Sequence, residues 1–365
     1  MLLSFSRKDI NEEQYAYLLK KYQDEYYSLS MRLYNLYNSN RPQAVSIARY
    51  ELHNLTYASR SAFMTGHEDA VDFVNNVDRF LDHFGFKQQL ADLSGCSSSR
   101  TEEISDKALA TTRYSQAEQL FNDGNFISAK AISYETLNGL LAEPSYNRCR
   151  MLELVGRCEA EMGNIEKAKH CYAEAIDVGS IIPSTKSVKQ LLGVVYANLG
   201  LILQQVMDFD GAHDAYEKSM KLREEIGDKQ EAFDTKLNLG TVDIYLGRYK
   251  AAKEKIAEAL DYFRSISLHS SEAYALHNLG LLYEVTNEWT KAEKCFRDSA
   301  AIKVRMGNMN GMNGAVSSWM QLASVYHKAG KFGHAESWYR KCLSELEKSP
   351  SYYVSYSNTL TLLGE

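Results

Sequence analysis

"ANLG" at Ala197–Gly200, "LNLG" at Leu237–Gly240 and "HNLG" at His277–Gly280 place the same Asn-Leu-Gly three times in one chain. The copies are separated by a constant forty residues. A constant period of this length is typical of arrays in which each unit is a pair of helices. The three stretches therefore predict a repeat protein, and the residues around them define the repeat.

The glycine of each copy belongs to a longer pattern. A small residue is followed twelve positions later by alanine in six places: Ala117–Ala129, Gly156–Ala168, Gly200–Ala212, Gly240–Ala252, Gly280–Ala292 and Ala323–Ala335. Seven positions after the small residue stand Gly124, Gly163, Met207, Gly247, Asn287 and Gly330. Most of these residue types tolerate the left-handed conformation that ends a helix. A first helix is therefore expected to stop at each of these positions.

Two further positions complete the template. Nine positions after the small residue comes an apolar side chain, expected as a wedge beside each turn: Phe126, Ile165, Phe209, Tyr249, Trp289 and Phe332. Sixteen positions after it come residues expected to fill the core face of a second helix: Ser133, Tyr172, Tyr216, Ile256, Phe296 and Tyr339. The template therefore predicts a helix, a tight turn and a second helix, with small residues where the two backbones approach.

This spacing of Leu-Gly, aromatic and alanine positions resembles the tetratricopeptide repeat. The period near forty is similar to the long-helix repeats of kinesin light chains, LGN-type polarity adaptors and Rap-type bacterial receptors. The resemblance covers residues 108–350. It implies an all-α fold, a right-handed superhelix or α-solenoid of about six to seven helix-turn-helix repeats that follows an amino-terminal helical module.

The chain outside the array is expected to form three parts. Residues 1–93 form the helical module, because tyrosine and leucine recur there at helical spacing. The module ends either in a degenerate seventh repeat, since Ala58 and Ala70 are again twelve apart, or in an ordinary helical cap. Residues 94–107 are a polar linker, and residues 351–365 a capping or truncated helix. The Glu51–Leu55 segment also resembles the helix pair that precedes the repeats in NB-ARC-type signalling ATPases.

Composition narrows the classes of partner. The 365 residues contain only four prolines, which leaves room for long helices, and carry a formal net charge of −6. That charge supplies no broad cationic field for nucleic acid or an anionic membrane. No segment approaches about 18 uninterrupted apolar residues, the length that spans a bilayer. A cytoplasmic protein that binds neither nucleic acid nor membrane is therefore expected.

The recurring asparagine calls for a separate explanation. Successive helical residues are rotated by about 100°, so the residue before Leu-Gly points away from the hairpin core. By the family resemblance, that residue lines the concave groove of the superhelix, where asparagine holds the backbone of an extended peptide. A carboxamide offers a donor and an acceptor, which is what a peptide bond requires. The competing interpretation is that the asparagine bridges neighbouring helices and binds nothing external.

The candidate peptide-binding residues follow from this position and its neighbours on the same helical face. They are Asn198, Asn238, Asn278, Gln321, Leu201, Thr241, Tyr274, His277, Leu281 and Ser324. LGN-type adaptors carry arginine beside the asparagine, whereas the matching positions here hold Val194, Asp234, Tyr274 and Ser317. The expected ligand is therefore a protein or peptide segment that is extended and largely uncharged.

No pattern of catalytic or metal-binding residues stands out. The nine histidines form no HExxH motif, the six cysteines form no CxxC pair, and no Walker loop is present. We expect no enzyme, no metal and no cofactor; His277 and His327 are expected as pH-sensitive groove contacts. The predicted function is a peptide-binding adaptor or receptor. The alternative is the ligand-sensing portion of a STAND ATPase-like or Rap-like regulator that changes conformation on binding. The oligomeric state is left open.

Overall fold

The computed structural model describes residues 11–39, 41–65, 73, 74, 77, 106–139, 143–306 and 309–347. Within these residues the chain is all-α, with no strand. The helices are α1 Glu12–Ser39, α2 Arg41–Thr65, α3 Asp106–Asn122, α4 Phe126–Gly139, α5 Tyr146–Glu161, α6 Ile165–Ile181, α7 Lys186–Gln205, α8 Phe209–Glu225, α9 Lys229–Tyr245, α10 Tyr249–Ser265, α11 His269–Val285, α12 Trp289–Met306, α13 Met309–Lys328 and α14 Phe332–Leu346.

The chain packs as two compact units, residues 1–198 and residues 199–365. The boundary falls within α7, inside the predicted array, and does not coincide with the predicted boundary at residue 93. In each unit, most helices that are consecutive in sequence pack on one another, which is the arrangement of an α-solenoid. The predicted domain limits stay predictions, and most of the predicted linker and the segment 351–365 lie outside the described residues.

The predicted turns between the first and second helix of each hairpin are confirmed. All six predicted turn residues have a positive φ, and they include the non-glycine residues Met207 at 62° and Asn287 at 60°. In each turn a backbone N–H reaches back to the last turn of the helix, as when Gly247 donates to the carbonyl of Ile244 at 3.1 Å. This geometry satisfies carbonyl groups that a helix end otherwise leaves unpaired.

The small and large positions of the template meet inside each hairpin. A Cβ built on Gly280 would lie 2.6 Å from a ring carbon of Phe296, sixteen residues later. Gly240 has the same relation to Ile256, also at 2.6 Å. The aromatic or branched side chain therefore occupies the space beside the glycine. All six residues at the large position are buried, which confirms the predicted core face of the second helix.

The predicted wedge beside each turn is only partly correct. Phe126, Ile165, Phe209 and Trp289 are half-buried, but Phe332 is 64% exposed and Tyr249 is 42% exposed. Tyr249 is the first residue of α10, and Phe332 is the first residue of α14. All six wedge residues are the first residue of a second helix, so this location alone does not determine burial, and the position does not supply a core contact in every hairpin.

The amino-terminal helices α1 and α2 form a hairpin of their own. Their core contains Leu33, Leu55 and Ala58, and the described residues Phe73 and Val77 join it. Tyr26 donates a 2.9 Å hydrogen bond to Glu51, which also accepts one from Asn54 at 2.8 Å. Within the Glu51–Leu55 segment, Glu51 and Asn54 are therefore hydrogen-bonded to each other, and Glu51 is also bonded to α1. Ala70, on which the degenerate-repeat interpretation depends, lies outside the described residues.

None of the described helices combines the length and the apolar character needed to cross a bilayer.

Candidate functional site

The six hairpins place their first helices, α3, α5, α7, α9, α11 and α13, at every second position in the chain. Polar side chains join neighbouring first helices directly. Asn198 of α7 donates to Glu153 of α5 at 2.9 Å, and Asn278 of α11 donates to Thr241 of α9 at 2.7 Å. We call the surface that these side chains occupy the first-helix face. The asparagine position lies on this face, away from the hairpin core, as its spacing predicts.

The side-chain amides of Asn198 and Asn278 are therefore hydrogen-bonded to other residues of the protein. The Asn278 amide is held by the Thr241 hydroxyl, which itself donates to the carbonyl of Leu237 at 3.0 Å. Each bond uses one N–H of the asparagine amide, and the bonded groups belong to successive first helices. These two members of the series therefore bridge neighbouring first helices, as the competing interpretation predicts.

Asn238 and Gln321 stand at the same template position, but neither forms a hydrogen bond with another described residue. The sequence explains the difference. In the preceding repeat, the position that Thr241 fills for Asn278 is filled by Leu201 for Asn238 and by Leu281 for Gln321. An apolar side chain cannot accept a hydrogen bond. The amides of Asn238 and Gln321 are therefore unpaired among the described residues.

The remaining predicted residues divide into exposed and occupied ones. Leu201 is 46% exposed and Tyr274 is 57% exposed. Thr241 is buried, and Leu281 packs against the apolar core. Ser324 donates to Glu284 at 2.9 Å. The open part of the predicted site therefore consists of four residues in the second unit: Leu201, Asn238, Tyr274 and Gln321.

His277 does not behave as expected. Its ring packs edge-on against Phe296, with centroids 5.3 Å apart, and Nδ1 lies 3.1 Å from the hydroxyl oxygen of Ser318. Desolvation and the nearby charge of Lys303 lower the pKa of His277 to about 3. The expectation of a His277 contact that titrates near neutral pH is therefore wrong, because the packed ring stays neutral. His327 packs against Phe332 at 5.4 Å.

Arginines occupy the first-helix face in the first unit, although the sequence interpretation found none beside the later asparagines. Arg150 stands six residues before Gly156, the spacing that gives Val194, Asp234, Tyr274 and Ser317 in later repeats. Extending that spacing to the second repeat would have identified it. Its guanidinium carbon lies 3.5 Å from the Tyr114 ring centroid, and a guanidinium nitrogen lies 3.9 Å from Glu118. This arginine is therefore already partnered.

The same cluster contains a buried carboxyl group. Glu153 is 3% exposed, accepts the Asn198 hydrogen bond and lies 3.9 Å from Arg157. Burial raises the pKa of Glu153 to about 7, because desolvation outweighs the opposing charge of Arg157. On this face, the first unit thus presents a charged, internally paired network. The second unit presents unpaired amides and apolar side chains.

Among the described residues, no three or more His, Cys, Asp or Glu side chains are grouped so that they could hold a metal ion. The described cysteines are all free thiols. Burial raises the pKa of Cys149 and of Cys342 to about 12.

Comparison with known proteins identifies the repeats. Models of the tetratricopeptide repeat match residues 231–303 and 316–345. The matched segments contain α9 from Glu231 onward, α10, α11, most of α12, and most of α13 and α14. No curated protein sequence matches this chain.

Several solved structures share the fold at low sequence identity. One is a STAND protein (signal transduction ATPase with numerous domains) from Pyrococcus horikoshii that has a tetratricopeptide repeat sensor. Its sequence is 14% identical to this chain, and the TM-score is 0.61. The match covers 90% of this chain and 50% of that one. NprR in complex with its cognate peptide NprX is 12% identical with a TM-score of 0.62, covering 81% of this chain and 83% of that one. The apo quorum sensor NprR from B. thuringiensis is 13% identical with a TM-score of 0.59, covering 80% and 79%.

The matched repeat models, the six hairpins and the shared fold agree with one another. Residues 231–303 and 316–345 of the chain are tetratricopeptide repeats, and the chain has an all-α solenoid fold similar to that of the STAND repeat sensor and of NprR.

Proposed function

We propose that the chain is a non-catalytic peptide-binding protein that holds an extended peptide against the first-helix face of its second unit. The observation that carries the proposal is the pair of amides on Asn238 and Gln321. Both are half-buried and neither has a hydrogen-bond partner among the described residues. Polar groups on a packed surface are normally satisfied, and a bound peptide backbone supplies both the donor and the acceptor that a carboxamide needs.

The surroundings of the two amides fit an extended, largely uncharged segment. Exposed Leu201 and Tyr274 offer apolar contact area beside the amides. In an extended peptide, alternate side chains point to the same side, so backbone bonds and apolar contacts can be made together. Affinity then comes from the peptide backbone, and selectivity from the side chains that meet Leu201 and Tyr274.

The fold comparison adds support of a general kind. NprR, which shares this fold, was solved in complex with its cognate peptide. A solenoid of this architecture therefore provides a surface on which a peptide can be held. The residues that would do so in this chain are proposed from its own geometry.

The test compares two double variants for peptide binding. Asn238→Ala/Gln321→Ala removes the two unpaired amides, and Gln119→Ala/Asn122→Ala removes two exposed amides from α3 as the matched control. The probe is a positional-scanning library of hexapeptides with acetylated amino termini and amidated carboxyl termini, measured by fluorescence polarisation. We expect the first variant to bind at least about tenfold more weakly, with unchanged circular dichroism and melting. Equal affinity of the two variants would contradict the proposal.

A second candidate function is a ligand sensor in which the peptide changes the spacing of the first helices. It is favoured by the Asn198–Glu153 and Asn278–Thr241 bonds, which join neighbouring helices through amides that a peptide backbone could take over. A ligand shifts such an equilibrium only if it binds the two states unequally. Small-angle scattering with and without a library peptide that binds separates the candidates. An unchanged radius of gyration leaves the passive adaptor.

A further inference from the structure

A buried lysine lies next to the proposed peptide-binding face. Lys303, on α12, is only 5% exposed. Its ammonium donates to the hydroxyl oxygen of Ser318 at 3.2 Å and lies 4.9 Å from the centroid of the Tyr274 ring. No described carboxylate forms an ion pair with it. A buried charge without a counter-ion is costly, so such groups are normally paired.

The hairpin α7–α8, two repeats earlier, shows what Lys303 lacks. Arg223 stands at the equivalent position, twenty-three residues after the template glycine, and is 6% exposed. It donates to the hydroxyl of Thr235 at 2.7 Å and pairs with the carboxylate of Glu231 at 3.0 Å. Ser318 is the equivalent of Thr235, so the hydroxyl partner is kept in both hairpins.

The carboxylate partner is lost through one residue. Gly314 stands at the position of Glu231, nine residues before the template small residue. A Cβ on Gly314 would lie 3.0 Å from Cδ of Lys303, so the lysine stem fills the space that a side chain would need. The protein therefore keeps the buried cation and the hydroxyl at this junction but omits the negative charge.

The surroundings of the ammonium leave one side for an external group. His277 and Ser299 both contact Ser318, at 3.1 Å and 3.2 Å, and close the inner side. The outer side is covered by the Tyr274 ring, which is itself 57% exposed. An exposed tyrosine can change rotamer without disturbing a core. The missing charge can therefore approach from the first-helix face, past Tyr274.

We infer that Lys303 is an anchoring subsite for one carboxylate of the bound peptide, with the Tyr274 ring as its movable cover. The inference rests on the proposed function and refines the expected ligand, an otherwise uncharged extended segment that carries a single carboxylate. Burial lowers the pKa of Lys303 to about 8, which leaves the amine mostly protonated at neutral pH and able to attract an anion. The carboxylate belongs either to an aspartate or glutamate side chain or to the peptide's own carboxyl terminus.

The first experiment uses sodium acetate as the probe and the full chain labelled with ¹³C at lysine Cε. The Lys303 resonance is assigned by its loss in Lys303→Arg. We expect acetate to shift this resonance saturably, with no such shift from sodium chloride at equal ionic strength. Tyr274→Phe keeps the ring and should behave as the wild type, whereas Tyr274→Ala should saturate at lower acetate. A Lys303 resonance that responds equally to acetate and chloride would overturn the subsite.

The second experiment distinguishes the two sources of the carboxylate. Three hexapeptide libraries are compared: amidated without acidic residues, amidated with one glutamate, and free-acid without acidic residues. We expect one of the two libraries with a carboxylate to bind the wild type at least about tenfold more tightly than the amidated library without acidic residues. We expect Lys303→Met to lose this preference but to bind the uncharged library with the affinity of the wild type. Equal binding of all three libraries overturns the subsite but not the peptide-binding proposal. That proposal is tested separately by the Asn238/Gln321 variant.

Discussion

Asn278 donates a 2.7 Å hydrogen bond to the hydroxyl of Thr241, and this bond joins the first helices α9 and α11. Asn238, at the same position one repeat earlier, has no such partner among the described residues. We therefore expect Asn278→Ala to lower the free energy of unfolding by about 1 kcal/mol, the usual net contribution of a hydrogen bond, and Asn238→Ala to change it little. Urea denaturation followed by circular dichroism measures both.

The pair is its own control, because the two substitutions remove the same group from the same template position. Equal destabilisation by the two variants would mean that Asn238 also bridges helices. The argument that its amide is available to a peptide would then fail.

The Gly280–Phe296 contact predicts a large effect from a single methyl group. In Gly280→Ala the new Cβ would lie 2.6 Å from the Phe296 ring, so the ring or the helices must shift. We expect a loss of about 1–3 kcal/mol in the free energy of unfolding, the usual cost of overpacking a core. Gly333→Ala is the matched control, since a Cβ there meets no atom within 4 Å. Comparable losses in both variants would refute the packing explanation.

Met207 predicts a gain in stability. It holds a φ of 62° and is 75% exposed, so its side chain contributes little packing and its backbone is strained. We expect Met207→Gly to raise the free energy of unfolding by about 0.5–1 kcal/mol, because relief of left-handed strain exceeds the added entropy of the unfolded chain. In the reciprocal variant Gly247→Ala, the new Cβ would meet no atom within 4 Å, so only backbone strain is added. We expect its free energy of unfolding to fall by about 1 kcal/mol. Thermal melting that moves both variants in the same direction would contradict this account.

Glu153 predicts a pH dependence of stability. Its pKa is raised to about 7 in the folded chain, against about 4.3 for an unperturbed glutamate. Between these values the folded state binds more protons than the unfolded state, so the contribution of Glu153 to stability falls as pH rises from about 4.3 to 7.

Glu153→Gln removes this titration while keeping an acceptor for Asn198. As the pH is raised from 5 to 7.5, the free energy of unfolding of the variant should therefore rise by about 1–3 kcal/mol relative to that of the wild type. Denaturant titrations of both proteins at a series of pH values and constant ionic strength measure the difference. Parallel stability curves would show that the pKa of Glu153 is not raised.

The hairpins were predictable because local chemistry determines them. A residue that tolerates positive φ, a small residue before it and a bulky one after it each have one structural role, and their spacing is fixed by helix geometry. The face on which the asparagines lie followed from the same geometry. Even Met207, a poor residue for its conformation, was located correctly by the period of the repeat.

The state of each side chain on that face was not predictable in the same way. Whether an asparagine is bonded depends on a residue about forty positions away, as with Thr241 for Asn278 and Leu201 for Asn238. The packing of His277 and the missing counter-ion of Lys303 depend on three helices at once. Spacing along one helix carries no information on such contacts.

The contact between each template glycine and the bulky side chain sixteen residues later lies entirely within one hairpin. Each hairpin therefore contains the central part of its own core. Duplication or deletion of a whole forty-residue repeat would leave the contact between the glycine and the bulky side chain intact and would change only the junctions between hairpins. Residues such as Arg223 and Lys303 lie at those junctions, so a rearranged array would keep its fold while the charged contacts at its junctions changed.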